Sequence, residues 1–254
     1  MTDLDGRVAV VTGGGRGIGR AIAHALARAG ARVAVAGRSQ APLDQVARET
    51  GALALVCDVA QLAEVAQLHA RVRAELGDAD ILVANSGITH STPFTKETLE
   101  GWNQVLAVNL TGTFLAARAF LPAMLARGRG RIVCVASTAA RVGFKYTAAY
   151  CASKHGVLGL VRSLALEVAD RGVTVNAVCP GWTETDMVRS AADKIAEKTG
   201  RSRADAAQVL AEMSPQRRLM SADEVAALVR FLCSDEAAGV TGQAWNVDGG
   251  QVMA

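Results

Sequence analysis

The stretch Val8-Ala9-Val10-Val11-Thr12-Gly13-Gly14-Gly15-Arg16-Gly17-Ile18-Gly19 joins an apolar run to a helical pattern through a turn rich in glycine. We predict a strand over Arg7–Thr12 and a helix over Gly17–Ala29. Glycines let a backbone turn sharply and approach a pyrophosphate closely, and the helix N-terminus meets its negative charge. A tight turn without a ligand is the alternative. The position of the loop at the head of a strand–helix unit favours nucleotide binding.

The residues beyond this loop favour one dinucleotide over another. The loop has the spacing G-x-x-x-G-x-G, and an NAD site usually has an acidic residue about twenty residues further on, at the ribose hydroxyls. Here that region is Ala36-Gly37-Arg38-Ser39, without an acid. We expect Arg38, with Arg16, to meet a 2′-phosphate, and the small Gly37 to leave room for it. The alternative is a solvated arginine on an ordinary loop, so the sequence favours NADP(H) over NAD(H).

Strand-like and helical patterns alternate along the rest of the chain. Further strands are predicted over Arg32–Ala36, Ala52–Cys57, Asp80–Ala84, Arg131–Ala136, Val173–Val178 and Ala244–Val247, and helices over Pro42–Thr50, Ala60–Leu76, Glu97–Arg127, Ala148–Asp170 and Ser221–Cys233. The last helix opens with Ser221-Ala222-Asp223-Glu224, the capping-box pattern. Such alternation implies a parallel sheet with helices on both faces, and the right-handed crossover rule favours a doubly wound, Rossmann-type α/β fold. Without a linker or repeat, residues 1–254 are predicted to form a single domain.

One segment interrupts this alternation. Residues 183–216 carry two short helical patterns, Met187–Lys198 and Arg203–Met213, separated by Gly200. An insertion after the carboxyl end of a strand is where substrate lids lie in such folds. We predict a small helical substrate lid here, with a surface helical hairpin as the alternative.

The composition excludes several classes of protein. Half of the residues are hydrophobic but only 4% are aromatic, as expected for parallel strands buried on both faces by Ala, Val, Leu and Ile. The net charge of +3 is small and the basic residues are scattered, so we expect neither a nucleic-acid face nor a membrane-binding stripe. The acidic N-terminus is unlike a signal peptide, and no apolar run approaches the roughly 18 residues of a membrane span. The 5 cysteines have no metal-ligand spacing, so we expect a cytoplasmic protein without a metal site or disulfides.

A candidate active site lies in Tyr150-Cys151-Ala152-Ser153-Lys154, where the tyrosine and lysine are one helical turn apart. An ammonium beside a phenol favours the phenolate and lowers a pKa that is normally about 10. Such a tyrosine exchanges a proton with a carbonyl or alcohol oxygen near neutral pH, and Ser137 can hydrogen-bond the same oxygen. Alone, the pair is a weak signal because helices carry many such pairs by chance; the upstream nucleotide loop strengthens it.

Several short motifs occur together in one order along the chain. They are Thr12-Gly13-x-x-x-Gly17-x-Gly19, Asp58-Val59, Asn85-Ser86-Gly87, Asn109, Ser137, Tyr150-x-x-x-Lys154 and Pro180-Gly181-x-x-x-Thr185. With them, the sequence from Arg7 to Gly250 resembles the short-chain dehydrogenase/reductase family. Ser86 departs from the pattern because alanine is more usual there.

The resemblance implies a role for each matching residue. Tyr150 would be the acid or base on the substrate oxygen, Lys154 would lower its pKa and hold the nicotinamide ribose, and Ser137 would orient the oxygen. Asn109 would hold a water that relays protons from Lys154; alone, it indicates only a helix-bending polar residue. Family members are usually homotetramers, which we therefore expect.

The same resemblance, together with the glycine-rich loop and the two arginines near it, predicts which residues contact the cofactor. Asp58 and Val59 would contact the adenine, although Asp58 alone would indicate a helix cap. Asn85 and Gly87 would contact the adenosine side. The full set of expected cofactor residues is Gly13, Arg16, Gly17, Ile18, Gly19, Arg38, Asp58, Val59, Asn85, Gly87, Pro180, Gly181, Thr183 and Thr185.

The substrate is less closely defined. Residues 179–187 and the lid resemble those of 3-oxoacyl thioester reductases, including polyketide ketoreductases, while other segments resemble 3-hydroxybutyrate dehydrogenases. In the latter group a His and a Lys are expected to bind the carboxylate, whereas Ala139 and Thr147 stand at those positions here. A thioester carried on CoA or acyl carrier protein needs basic residues for its phosphates. The candidates, which could also be solvated surface residues, are Arg127, Arg129, Arg131, Arg141 and Arg171.

We therefore expect an NADP(H)-dependent reductase of a 3-oxoacyl thioester. The first alternative is an NAD(P)-dependent dehydrogenase of a free hydroxy acid, ketone, cyclic alcohol or sugar. The second is a non-catalytic nucleotide-sensing protein on the same fold, which the presence of both Tyr150 and Lys154 disfavours.

Overall fold

The computed structural model describes residues 3–200 and 202–253, so residues 1, 2 and 254 and residue 201 of the predicted lid lie outside the described residues. The described chain forms one parallel sheet of order β3-β2-β1-β4-β5-β6-β7. Its strands are β1 Val8–Thr12, β2 Arg32–Gly37, β3 Leu53–Val56, β4 Ile81–Ala84, β5 Gly130–Val135, β6 Val173–Pro180 and β7 Ala244–Val247. The predicted doubly wound α/β fold is confirmed.

Helices cover both faces of this sheet. They are α1 Gly17–Arg28, α2 Gln40–Thr50, α3 Leu62–Leu76, α4 Leu99–Leu106, α5 Gly112–Arg127, α6 Ala148–Val168, α7 Asp186–Thr199, α8 Arg203–Glu212 and α9 Ala222–Cys233. Val10 packs in a core with α3, α5 and α6, while its neighbour Val11 packs in a second core with α1, α2 and α9. The inner strands β1, β4, β5 and β6 are thus buried on both faces, which explains their aliphatic sequences.

The order of the strands fixes where a ligand can bind. From β1 the chain proceeds outward to β2 and β3, and then returns to β4 on the other side of β1. In open α/β sheets, ligands bind outside the carboxyl ends of the strands at such a reversal. Thr12 and Ala84 end the two strands that flank this point.

The region predicted as one helix over Glu97–Arg127 is divided by a π-helical turn at Ala107–Thr111. Such turns often occur at functional sites, and this one contains Asn109. The stretch Leu99–Arg127 is long and apolar enough to cross a membrane, but only by length and composition. In the folded protein its residues Phe120 and Met124 are fully buried against the sheet, as in a core helix.

The segment predicted as a lid folds around a small apolar cluster of its own. Val188 and Ala192 of α7 pack against Ala206 and Leu210 of α8. The pair of helices follows the carboxyl end of β6 and precedes α9, whose predicted capping box is present: Ser221 and Glu224 bind each other's backbone N–H groups.

Candidate active site

The glycine-rich loop is shaped by close backbone contacts. Gly13 has a φ of +64°, and a Cβ added to Gly19 would lie 2.1 Å from the Gly13 carbonyl oxygen. Asn85, after β4, donates from Nδ2 to the carbonyl oxygens of Thr12 at 3.0 Å and Gly13 at 3.2 Å. Asn85 therefore supports the loop from behind. Its expected contact with the adenosine side of the cofactor stays a prediction.

A cavity of about 330 Å³ lies in front of this loop. Its lining residues are Gly13, Gly15, Arg16, Gly37, Arg38, Ser39, Pro42, Leu43, Cys57, Asp58, Val59, Ser86, Gly87, Ile88 and Val108. Six of the expected cofactor residues thus line one cavity, namely Gly13, Arg16, Arg38, Asp58, Val59 and Gly87, whereas Gly17, Ile18 and Gly19 do not line it. Four further lining residues were not predicted, namely Ser39, Cys57, Ile88 and Val108. They are distant in sequence, and only the folded sheet brings them to one cavity.

A second cavity, of about 500 Å³, lies between α1 and α9 and is lined by Arg28, Arg230 and Asp3 among others. None of the expected catalytic or cofactor residues reaches it. We therefore assign the candidate site to the smaller cavity at the strand ends.

Positive charge lines one side of the site cavity. Arg16 and Arg38 are both exposed there, and in the described part of the chain neither forms an ion pair. Asp58 lines the same cavity, and its Oδ1 accepts a hydrogen bond from the Ala60 N–H at 3.0 Å. Asp58 therefore stabilises the turn before α3 and lines the cavity. The N-cap of α3 is Gln61, so Asp58 is not the helix cap that its position alone would indicate, and its contact with the adenine stays a prediction.

The segment after β6 meets the glycine-rich loop. Gly17 has a φ of +49°, and a Cβ added there would lie 3.1 Å from Cγ2 of Thr185. Thr183 is buried and donates from Oγ1 to the Gly181 carbonyl oxygen, while Thr185 donates to that of Thr183. These expected nicotinamide residues, together with Pro180 at the end of β6, do not line the 330 Å³ cavity but extend the site beyond the loop. Ile18 packs against the core of α1, α2 and α9.

Ser137, Tyr150 and Lys154 lie together as predicted. Ser137 follows β5, and its hydroxyl lies near enough to the half-buried phenol of Tyr150 on α6 to favour the phenolate. Lys154 is 4% exposed, and its Nζ lies 5.8 Å from the centre of the Tyr150 ring. That Nζ donates to the carbonyl oxygen of Val135 at 2.8 Å, which holds the lysine between α6 and β5.

The pKa values differ from the expectation based on spacing alone. Burial raises the pKa of Tyr150, and the hydrogen bond from Ser137 acts in the opposite direction. Burial also lowers the pKa of Lys154 to about 8. The expected lowering of the tyrosine pKa by lysine is therefore wrong for these surroundings, because loss of solvation outweighs an ammonium that is directed at Val135.

Asn109 completes the group from the π-helical turn. It is fully buried, and its Nδ2 donates to the Ile88 carbonyl oxygen at 2.9 Å and to Ser153 Oγ at 3.0 Å. Its Oδ1 accepts from the Ile88 N–H at 2.8 Å. A Cβ added to Gly87 would lie 3.5 Å from both Asn109 Oδ1 and Lys154 Nζ. Asn109 thus fixes the loop after β4 next to the lysine.

An aromatic pair that was not predicted connects the catalytic loop to the lid. The rings of Phe144 and Trp182 meet edge to face with centroids 6.3 Å apart. Phe144 belongs to the loop between Ser137 and Tyr150, and Trp182 packs against the apolar cluster of α7 and α8. The only sequence signals are their positions: Phe144 lies between Ser137 and Tyr150, and Trp182 lies inside the Pro180-Gly181-x-x-x-Thr185 motif.

The arginines considered for a thioester arm do not gather at this site. Arg127 and Arg129 form ion pairs with Asp80 near the end of the sheet where the strands begin. Arg131, at the start of β5, is 4% exposed and donates to the Ser234 carbonyl oxygen. Arg171 lies just before β6 at the same end of the sheet. Among the five candidates, Arg141 alone follows Ser137 at the carboxyl ends of the strands.

The chain is similar to known proteins over nearly its whole length. A family model described as enoyl-(acyl carrier protein) reductase matches residues 13–251. The 3-oxoacyl-[acyl-carrier-protein] reductase FabG of Escherichia coli (strain K12) is 39% identical over 253 residues, which cover 99% of each chain. The acetoacetyl-CoA reductase of Shinella zoogloeoides is 41% identical over 249 residues, covering 96% of this chain and 98% of that protein.

A solved structure agrees over the same length. A variant of the actinorhodin polyketide ketoreductase, crystallised with NADPH, superposes with a TM-score of 0.94 at 40% identity, with 99% of each chain covered. These full-length matches confirm the resemblance drawn from the short motifs. The chain belongs to the short-chain dehydrogenase/reductase family and is an oxidoreductase.

Proposed function

We propose that this protein is an NADP(H)-dependent reductase that converts a 3-oxoacyl thioester into the 3-hydroxyacyl thioester. The observation that carries the proposal is the placement of the buried Lys154, whose Nζ lies 5.8 Å from the centre of the Tyr150 ring, with the Ser137 hydroxyl near the same phenol. Two hydroxyl donors at one point suit a carbonyl oxygen that gains negative charge during reduction. The names of the relatives, a 3-oxoacyl reductase and an acetoacetyl-CoA reductase, support the same substrate class.

The residues around the cavity fit a phosphorylated dinucleotide. The close approach of Gly13 and Gly19 leaves backbone N–H groups of the loop and of the first turn of α1 for the pyrophosphate. Arg16 and Arg38 would bind the 2′-phosphate, and Asp58 and Val59 would lie along the adenine. When bound, NADPH supplies the hydride. The expected residues at the nicotinamide end are Pro180, Gly181, Thr183 and Thr185.

The protonation states of the site suit reduction. Because burial raises the pKa of Tyr150, the phenol keeps its proton at neutral pH and can give it to the developing alkoxide. Ser137 would donate a second hydrogen bond to the same oxygen and orient it. Lys154, with a pKa of about 8, carries a proton near neutral pH and lies where its charge favours the phenolate that forms. Asn109 would keep the loop after β4 in place beside this lysine.

The surroundings of the site favour a thioester over a free acid. Ala139 is buried, and Thr147 donates its hydroxyl to the Phe144 carbonyl oxygen, so neither offers a positive charge to a carboxylate. Phe144 and Trp182 provide an apolar wall between the catalytic loop and the lid. The acyl group would be carried on CoA or acyl carrier protein, and the working form would be a cytoplasmic homotetramer whose lid covers the substrate.

Cofactor titration tests the first half of this proposal. NADPH and NADH are titrated by fluorescence against the wild type and Arg38→Ala. We expect the wild type to bind NADPH more tightly than NADH. Arg38→Ala should weaken the binding of NADPH alone and so remove this preference. Tighter NADH binding that is indifferent to Arg38 would overturn the assignment and favour an oxidative dehydrogenase.

Turnover of acetoacetyl-CoA with NADPH tests the second half. Tyr150→Phe should abolish turnover while leaving NADPH binding nearly intact. Tyr146→Phe is the matched control, since the other tyrosine of the chain is 59% exposed and lacks the serine contact. Activity that survives Tyr150→Phe would show that the catalytic assignment is wrong.

A further inference from the structure

The hydroxyl of Ser153 lies between the two proposed catalytic residues of α6. Ser153 comes three residues after Tyr150 and directly before Lys154, and it is 0% exposed. Its Oγ donates to the Tyr150 carbonyl oxygen at 2.7 Å and accepts a hydrogen bond from Asn109 Nδ2 at 3.0 Å. The motif Tyr150-x-x-x-Lys154 leaves this position open. In the folded protein, Ser153 joins the backbone of the tyrosine to the π-helical turn.

The direction of each hydrogen bond around Ser153 is fixed. A carbonyl oxygen only accepts, so Ser153 gives its one proton to Tyr150 and receives a hydrogen bond from Asn109. The Asn109 amide is satisfied in the same orientation, since Nδ2 also donates to the Ile88 carbonyl oxygen and Oδ1 accepts from the Ile88 N–H. A reversed amide would set Oδ1 against the Ile88 carbonyl oxygen. We call this single arrangement of Ile88, Asn109, Ser153 and Tyr150 the Ser153 network.

The Ser153 network does more than an ordinary helical serine. A serine in a helix often binds the carbonyl oxygen three or four residues earlier, and the effect of that bond is local. Here the same hydroxyl also holds a side chain from another element, and hydrogen bonds in series polarise and strengthen one another. Because Ser153 and Asn109 are both fully buried, loss of the hydroxyl would leave an Asn109 N–H without this partner.

We propose that Ser153 is a positioning residue, which holds the start of α6 at a set distance from the cofactor cavity. Ile88 lines that cavity, and a Cβ added to the preceding Gly87 would lie 3.5 Å from Asn109 Oδ1. The inference rests on the proposed reductase chemistry, in which a hydride from the nicotinamide and a proton from Tyr150 reach one carbonyl group. Small displacements between the two donors cost much activity, because the reacting atoms must be aligned. Ser153 has no exposed surface and acts only through its neighbours.

Steady-state kinetics of acetoacetyl-CoA reduction tests this role. Ser153→Ala should lower kcat by about tenfold or more, while the KM for acetoacetyl-CoA and the Kd for NADPH stay near the wild-type values. The effect is confined to kcat because the hydroxyl aligns the reacting groups and binds neither molecule. A wild-type kcat in this variant, or a loss that lies in KM alone, would overturn the proposal.

Ser234→Ala is the matched control. Ser234 is 2% exposed, and its Oγ donates to the Phe231 carbonyl oxygen, which is also three residues earlier and also 2.7 Å away. It follows α9 near the start of β5, where Arg131 donates to its carbonyl oxygen. The two variants thus remove the same buried group at opposite ends of the sheet. Ser234→Ala should keep the wild-type kcat, and an equal loss in both variants would contradict the proposal.

A combination with Asn109→Ala tests whether the two side chains act together. Either single change breaks the Ser153 network, so the double variant should have a kcat close to that of Asn109→Ala alone. Losses in kcat that multiply would show that Ser153 and Asn109 act independently, and they would overturn the proposed route from Ile88 to Tyr150.

A measurement without turnover separates this inference from the proposed function. The Ile88 N–H donates to Asn109 Oδ1, so its hydrogen exchange, followed by NMR, should become severalfold faster in Ser153→Ala and stay unchanged in Ser234→Ala. If the wild type does not reduce acetoacetyl-CoA, the proposed function fails, while this exchange rate still decides whether Ser153 holds the loop after β4. Unchanged exchange of the Ile88 N–H in Ser153→Ala would overturn the positioning role.

Discussion

The Nζ atom of Lys154 lies 5.8 Å from the centre of the Tyr150 ring, while its hydrogen bond goes to the carbonyl oxygen of Val135. The two titratable groups are therefore neighbours, although the hydrogen bond of the ammonium goes to Val135 and not to the phenol oxygen. Burial moves their pKa values apart: that of Tyr150 rises from 10.0 and that of Lys154 falls from 10.5 to about 8. The phenol therefore holds its proton more firmly than the ammonium does.

The lysine makes stability depend on pH in a defined direction. Between about pH 8 and 10.5 the unfolded chain keeps a proton on Lys154 that the folded chain has lost, so folding becomes more favourable as pH rises through this range. We expect the unfolding free energy of the wild type to increase, relative to Lys154→Met, by on the order of 2 kcal/mol between about pH 7 and 10. Urea unfolding of both proteins at each pH measures this.

The comparison with Lys154→Met is needed because buried thiols act in the opposite sense. Burial raises the pKa of Cys134 and Cys233 to about 12, so the folded protein holds protons that the unfolded chain releases above about pH 9. Both proteins share this loss, which cancels in the difference. If the difference in unfolding free energy between the wild type and Lys154→Met does not change with pH, the pKa of Lys154 is not lowered.

Gly19→Ala should disrupt the glycine-rich loop. Its Cβ would lie 2.1 Å from the Gly13 carbonyl oxygen, which is backbone and cannot move aside cheaply. We expect a loss of about 1–3 kcal/mol in unfolding free energy and weaker NADPH binding. Gly159→Ala is the control, because nothing lies within 4 Å of the added Cβ in the middle of α6, and it should stabilise by about 0.5–1 kcal/mol. Wild-type NADPH affinity in Gly19→Ala would contradict the role of this loop.

Asn109→Ala removes three hydrogen bonds at once and leaves the N–H and carbonyl groups of Ile88 without these partners. Thermal unfolding should show a loss of about 2 kcal/mol or more, with kcat strongly reduced. Thr113→Val removes one hydroxyl, which donates to the Asn109 carbonyl oxygen, and should cost only about 1 kcal/mol. Equal effects of the two changes would indicate that the loop after β4 does not depend on the Asn109 side chain.

Trp182→Ala tests the connection between the lid and the catalytic loop. The change removes the ring that contacts both Phe144 and the lid cluster, so we expect a higher KM for acetoacetyl-CoA and a loss of about 2 kcal/mol or more in stability. Trp182→Phe keeps the ring contact and should stay near the wild type in both respects. Steady-state kinetics gives the KM and urea unfolding gives the stability of both variants. Equal values in Trp182→Ala and Trp182→Phe would refute the connection between the lid and the catalytic loop.

Features that depend on neighbouring residues were predictable from the sequence. The alternation of strands and helices predicted the parallel sheet, and the Ser221 capping box correctly marked the start of α9 because both of its partners lie within one turn. Helical spacing likewise predicted that Tyr150 and Lys154 share one face of α6.

Features decided by distant contacts were not predictable. The π-helical turn interrupts an unbroken helical pattern where Asn109 binds Ile88, 21 residues earlier in the chain. Asn85 binds Gly13 across 72 residues, which no local pattern reveals. The spacing of Tyr150 and Lys154 indicated their proximity but not the depth of their burial, so the direction of the tyrosine pKa was missed.

The central position of β1 in the sheet has a consequence for synthesis of the chain on the ribosome. β1 pairs with β2 on one side and with β4 on the other, so one of its edges stays open until residue 81 has emerged. The glycine-rich loop is complete only when Asn85 arrives, about a third of the way along the chain. After that, each later strand covers the edge left by the one before it, in the order β4, β5, β6 and β7. Once β4 has paired, the nascent protein thus exposes only one unfinished inner edge at a time, and an exposed strand edge is the feature that most invites aggregation.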